Sequence, residues 1–276
     1  MKKILIVILL LLLVINFSYR IDLKKTPHEL IGELMYFPSG IALRIVCMGY
    51  YGPLADMVWL RFIQYYGEHR MTDIRFDMMY HILDILTTLD SHFLYAYTLG
   101  GLMLTHDAQR PDQARDLLKK GMHSNPEDWR LPFIYGFIHY VFLSEYRIAQ
   151  TYFRIAAQKP NAPATPQRWA AFTTYVKLGD LNTGLALWSD LYNTTQNPEE
   201  KAIALFYIKK ITMLIHIRML NEKIEDFHDQ FRQYPHTLKQ LVKHGLLDSI
   251  PSEPHGENYR LRGHKAFSTW DPYKSE

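Results

Sequence analysis

Thirteen histidines and a single cysteine carry most of the side-chain reactivity this chain has to offer. The sharpest spacing is Glu225-Asp226-Phe227-His228, which on a helix puts a carboxylate and an imidazole on one face. Di-metal carboxylate bundles use such a pair, but they need a second copy and two more glutamates. The sequence offers no second copy, so the pair reads as a solvated polar face. Asp77 and His81 stand four residues apart and read as a local pair on one helix turn. His236, His244, His255 and His264 crowd the last forty residues without the ligand spacing of a zinc site. Cys47 stands alone, which excludes an intramolecular disulfide, a CxxC redox pair, haem attachment and any multi-cysteine metal site. No Walker loop, dinucleotide fingerprint or Ser/His/Asp order is present. The expectation is a protein without catalytic residues, metal or cofactor.

The elements that carry these residues begin with composition. In 276 residues there are 31 Lys+Arg against 28 Asp+Glu, and removing Lys2 and Lys3 leaves 29 − 28 = +1. A near-neutral body has no electrostatic footprint for nucleic acid. With 48% apolar residues the chain is a folded one. At its start, Met1-Lys2-Lys3 precedes the apolar run Ile4 to Phe17. That is the opening of a secretory signal or a membrane anchor. No small-x-small cleavage site and no lipobox cysteine follow, which favours retention. Fourteen residues span roughly 21 Å, short of the hydrocarbon core, although Ser18 and Tyr19 extend the run and Lys3 and Arg20 can snorkel. Residues 4–19 are therefore expected to enter a lipid bilayer. Positive charge is nearly balanced across the run. A short N-terminal tail before a signal-like stretch places the body outside, in the periplasm of a bacterial inner membrane.

From residue 53 onward apolar residues recur at three-to-four spacing, with loops marked by Pro, Gly, Asp and Asn. Sliding the sequence against itself reveals a thirty-five-residue step. Ala114, Ala149 and Gly184 keep it, as do Leu118, Phe153 and Trp188, then Gly121, Ala156 and Leu191, then Gly101, Gly136 and Ala171. Small residues let two antiparallel helices approach, and a large residue four positions later fills the space toward the next hairpin. Asn125-Pro126 and Lys159-Pro160 close two units. Gly52-Pro53 starts a helix to Tyr66, Gly67 to Arg70 turn the chain, and Ile74 to Leu89 return. Residues 198–230 read as one long helix or a kinked pair that caps the stack.

Leu99-Gly100, Ala114-Leu118-Gly121-Pro126 and Ala149-Phe153-Ala156 resemble the tetratricopeptide repeat pattern over about half the chain. The resemblance implies an all-α superhelix of helical hairpins with a peptide- or protein-binding concave face. Residues on the first helices of the units, Tyr95, Phe133, Tyr140, Arg168 and Tyr175, should line that face and contact the partner. Exported α-superhelices also include peptidoglycan lytic enzymes. Those need a catalytic Glu followed by Ser and a Gly-Leu-Met-Gln loop. Here Gly101-Leu102-Met103 is followed by Leu104, and Ser144-Glu145 has the reverse order.

The pattern changes at Tyr234-Pro235. A short helix, Thr237 to His244, ends at Gly245. A hairpin then runs from Tyr259 to Leu261 and from Lys265 to Thr269. The string Tyr234-Pro235 through Pro251-Ser252-Glu253-Pro254-His255-Gly256 to Tyr259 resembles the globular tail of type II secretion pseudopilins. Glu253 stands where that family has Asp, and the family's calcium loop and prepilin cleavage motif are missing.

The expected organisation is an anchor at 1–20, a lead-in at 21–52, repeats with a capping helix at 53–232, and a small α+β module at 233–276. The expected function is a membrane-anchored helical-repeat scaffold that binds other envelope or membrane proteins and assembles or stabilises a complex. The alternative is an accessory structural subunit of one membrane machine, such as a pilus, secretion or respiratory assembly.

Overall fold

The computed structural model describes residues 39–271 together with Asn16. The expected anchor at 1–20 and most of the lead-in therefore lie outside the described residues. Among the described residues no helix is long and apolar enough to cross a membrane. The described chain is helical, with one two-stranded sheet near its end. It divides into two compact units, one ending at Pro126 and one beginning at Glu127.

The first unit holds α1 (Gly40–Val46), α2 (Tyr51–Met71), α3 (Met79–Leu89), α4 (Leu94–His106) and α5 (Pro111–Ser124). Ser39 caps α1 by accepting from the Ala42 N–H. Pro111 opens α5, where its missing N–H costs nothing, and Asp112 sits in that first turn. The expected break at Gly67 to Arg70 does not occur, since α2 runs on to Met71. One glycine costs a helix only about 1 kcal/mol. Burial of Phe62, Tyr65 and His69 on one face outweighs it. Lys120 of α5 ties back to α3, donating to Asp84 Oδ1 at 2.6 Å and Thr88 Oγ1 at 2.8 Å.

The second unit holds α6 (Arg130–Val141), α7 (Tyr146–Ala157), α8 (Ala164–Phe172), α9 (Leu181–Thr194), α10 (Pro198–Phe231), α11 (Lys239–Lys243), β1 (Tyr259–Arg262) and β2 (Lys265–Ser268). A π-helical turn, Thr173–Lys177, extends α8. The Thr173 and Thr174 hydroxyls donate back to the Trp169 and Ala170 carbonyls there, both at 2.7 Å. After Pro160 and Pro163, α8 begins at Ala164 and accommodates Pro166 in its first turn. Asp180 caps α9 by accepting from the Thr183 N–H at 3.0 Å. Helix α10 is one continuous element of 34 residues. Asn197 caps it, Pro198, Glu199 and Glu200 fill its first turn, and Arg232 ends it in the left-handed region at φ 55°.

The thirty-five-residue step is the register of both packing and turns. Ala114, Ala149, Leu118, Phe153, Trp188, Gly121, Ala156 and Leu191 are all buried. A Cβ on Gly101 would lie 3.0 Å from the Leu118 side chain, and one on Gly136 would lie 3.0 Å from the Phe153 ring. The turns between the paired helices repeat just as closely. The N–H groups of Ala108, Leu143 and Leu178 donate to the carbonyls of Met103, Ile138 and Thr173 at 3.0, 3.3 and 3.1 Å. Those of Arg110, Glu145 and Asp180 donate to Leu104, His139 and Thr174 at 2.8, 2.9 and 3.1 Å. Between each pair stands a left-handed residue, Gln109 (φ 55°), Ser144 (φ 55°) and Gly179 (φ 69°). Ile74, thirty-five residues before Gln109, is left-handed as well (φ 56°), and its N–H donates to His69 O at 2.8 Å. The step therefore reaches back into the α2–α3 pair.

The C-terminal elements share a core with the second half of α10. Met213, Leu220, Ile224 and Phe227 pack there with Leu238, Leu241, Tyr259 and Ala266. Strands β1 and β2 pair antiparallel, with Tyr259 opposite Ser268 and Arg262 opposite Lys265. Buried Glu253 organises the approach to them. Its Oε2 accepts from the N–H groups of His255 (2.6 Å) and Glu257 (3.1 Å), and its Oε1 accepts from the Ser268 hydroxyl (3.1 Å).

Two glycine substitutions separate packing from propensity. A Cβ on Gly184 would meet Tyr175 Cβ at 2.7 Å, whereas one on Gly67 would meet nothing within 4 Å. Urea unfolding should show Gly184→Ala less stable by about 1–3 kcal/mol, from overpacking. Gly67→Ala should be more stable by up to about 1 kcal/mol, from helix propensity.

Candidate functional site

The second unit carries a groove of about 380 Å³, lined by Tyr140, Arg168, Trp169, Phe172, Trp188, Ile203 and Tyr207. Three helices present its walls: α6 supplies Tyr140, α8 supplies Arg168, Trp169 and Phe172, and α10 supplies Ile203 and Tyr207. Trp188 of α9 contributes to the lining although it is only 1% exposed. Its ring stacks on Tyr207, with centroids 4.3 Å apart and planes at 17°. Trp169 meets Tyr140 edge to face at 5.2 Å, and Phe172 meets Tyr207 the same way at 6.3 Å. Such contacts hold aromatic rings in fixed orientations.

Polar groups are few and placed at points. Arg168 Nη1 lies 3.4 Å from Glu200 Oε1 in the first turn of α10. The other Glu200 oxygen, Oε2, is buried and has no hydrogen-bond partner. The Trp188 Nε1–H is likewise buried without an acceptor. A buried donor left unpaired costs about 1–3 kcal/mol. Lys177 stands 5.7 Å from the Tyr140 ring centroid and 5.0 Å from that of Tyr146, placing a cation beside Tyr140. The Tyr146 phenol is held below its usual value, chiefly by a hydrogen bond with Ser144 and further by Lys177. The groove thus combines stacked aromatic faces with one arginine. That chemistry binds an apolar or aromatic side chain together with a nearby acceptor.

A second, more open cleft of about 630 Å³ lies along α10, lined by Leu214, Ile217, Arg218, Asn221, Glu222 and Glu225 opposite Tyr175, Gly179 and Leu181. The five residues expected to bind a partner are distributed unevenly. Tyr140 and Arg168 lie together in the groove. Phe133 packs against Phe153, Phe137 and Trp169 behind it. Tyr175 is 9% exposed and borders the α10 cleft instead. Tyr95 belongs to the first unit and is 66% exposed.

Sequence reasoning missed Trp169, Phe172, Trp188, Ile203 and Tyr207 as lining residues. The signal was available: Tyr207 stands thirty-five residues after Phe172, and Ile203 thirty-five after Arg168. Extending the step once more assigns the start of α10 the role of the next first helix.

The histidine clusters disperse into packing. His244 sits edge-on against Phe227 and Phe231, His264 stacks on Tyr234 at 4.0 Å, and His255 lies flat on Trp270 at 3.7 Å. His236 is exposed. His228 stacks on Tyr234, whose hydroxyl donates to Glu225 Oε2 at 3.5 Å. Asp77 pairs with Arg75 at 3.4 Å. Among the described residues no group of three or more His, Cys, Asp or Glu is arranged to hold a metal ion. Ser144 is the left-handed turn residue, and Glu145 Oε2 meets His139 Nδ1 at 2.5 Å across the same turn. Comparison with family models and with curated proteins finds no match to this chain.

Burial pushes the Tyr175 phenol up to about 12, with Tyr207 adding to the rise. Burial also pushes Tyr259 up to about 12, with Glu253 adding. In the unfolded chain each phenol ionises near its ordinary value of about 10. The unfolded state therefore loses protons first, and stability falls as pH rises from 10 to 12. Melting temperature measured across that window should drop less steeply in Tyr175→Phe than in the natural protein.

Proposed function

We propose that this protein is a membrane-anchored helical-repeat scaffold that docks a segment of another envelope protein and so helps assemble or stabilise a larger complex. The observation that carries the reading is the groove on α6, α8 and α10, with its stacked aromatics and Arg168. Burial of a side chain against such walls contributes roughly 25 cal/mol per Å² of apolar surface. The thirty-five-residue step and the resemblance to tetratricopeptide repeats support a binding rather than a catalytic role. The apolar run Ile4 to Phe17 supports a tether in the bacterial inner membrane, with the body on the periplasmic side. The pseudopilin-like string near the C-terminus is read as a shared folding unit, because the Glu253 carboxylate serves there to hold a turn.

The test is affinity purification of the full chain from its own membranes, with Arg168→Ala and Tyr140→Ala combined. The substituted protein should lose its co-purifying protein by at least tenfold, roughly 1.4 kcal/mol, while its far-UV circular dichroism stays unchanged. Undiminished co-purification overturns the groove as the docking site.

A further inference from the structure

The exposed apolar side chains of this protein are concentrated at one end of the first unit. Among the described residues, eleven of the twenty-one exposed large hydrophobic side chains fall between Ile41 and Ile74. The densest part is α1 and the turn that follows it. Ile45 is 77% exposed, Val46 73%, Met48 88% and Tyr50 73%. The pattern continues onto α2, where Met57 and Leu60 stand three residues apart on one helix face and are both exposed. Soluble surfaces scatter such residues singly, so a cluster of this kind marks a contact surface.

Charge tells what that surface meets. No Asp or Glu occurs from Leu34 to Ala55, and Arg44 is the only charged residue in that stretch. Arg44 reaches over the Tyr51 ring at 4.9 Å and donates to Thr88 O at 3.2 Å. The part of the patch on α1 and the following turn, with its Ile, Val and Met side chains, two adjacent tyrosines and one arginine, meets its first exposed carboxylate only at Asp56 and has the chemistry of the headgroup–acyl boundary. Tyrosine settles there, and each cation gains from anionic lipid. Helix α1 begins twenty-three residues after Phe17, where the apolar run ends. A helix of those fourteen residues would span roughly 21 Å, short of a hydrocarbon core, and such a tether gains from a second membrane contact.

We propose that α1 and the turn from Val46 to Tyr51 form a membrane-contact surface, which lays the first unit against an anionic bilayer. This rests on the tether reading above and adds a second point of attachment. Cys47, the chain's single cysteine, is partly exposed within the patch and reports on it without any substitution.

The full chain is labelled with a nitroxide at Cys47 and bound to vesicles of phosphatidylethanolamine and phosphatidylglycerol. Collision with oxygen is then compared with collision with a water-soluble nickel chelate. The reference is Lys119→Cys on a Cys47→Ser background, an exposed position of the same unit. The oxygen-to-nickel ratio at Cys47 should stand several-fold above the reference. Ile45→Glu with Met48→Glu should abolish that excess without altering circular dichroism. If the chain floats with vesicles while Cys47 collides with nickel as freely as the reference, the contact surface is overturned and the tether stands. If the chain fails to float, both are overturned. If the label is shielded from nickel without oxygen enrichment and shows spin–spin broadening, a second copy covers the patch and the proposal is overturned.

Discussion

Everything in the two units depends on one steric device: a missing or minimal side chain on one helix receives a bulky one from its partner. Gly101 lies under Leu118 and Gly136 under Phe153. Ala171 and Trp188 occupy the same two rows and share a buried core. Removing a side chain brings the helix backbones together, and dispersion over the filled space then rewards the contact. Because the device recurs every thirty-five residues, each hairpin is built on the same scheme as the one before it.

The turns obey the same period for a different reason. Four turns reverse the chain through a left-handed residue, and at Gln109, Ser144 and Gly179 two flanking backbone hydrogen bonds satisfy the last carbonyls of the preceding helix, while at Ile74 its own N–H does so. Only Gly179 carries the residue type that favours this conformation; Ile74, Gln109 and Ser144 adopt it at a steric cost. The geometry is set by the packing of the helices, and the turn residue follows. A constant turn also keeps equivalent side chains equivalent. Phe172 and Tyr207, one repeat apart, both reach the same groove.

Polar residues in the second unit mostly serve this packing. His244, His255 and His264 are each absorbed by an aromatic neighbour. Burial holds His216 and His255 below the ordinary imidazole value, which favours their neutral forms. Glu253 remains buried because three donors from the turn and β2 satisfy its carboxylate. His255 Nε2, Trp188 Nε1 and Glu200 Oε2 are buried without a hydrogen-bond partner, and the last two belong to the neighbourhood of the groove.

Residue order alone determined the helical class, the thirty-five-residue step, the hairpin near the C-terminus and the apolar run at the start. Those are local or periodic properties, written in residue size, hydropathy and turn chemistry. The left-handed register of Ile74 and Gln109 was hidden, since neither residue type announces it. The passage of α2 through Gly67 was hidden too, because burial of Phe62, Tyr65 and His69 overrode the local signal. Of the five aromatic and basic residues that spacing singled out, folding brought only Tyr140 and Arg168 into one groove, while Phe133 became packing and Tyr175 borders the other cleft. A periodic sequence shows which helix a side chain stands on. Whether that side chain meets a cavity or a neighbour is decided by the distance between helices, and that distance exists only once they are packed.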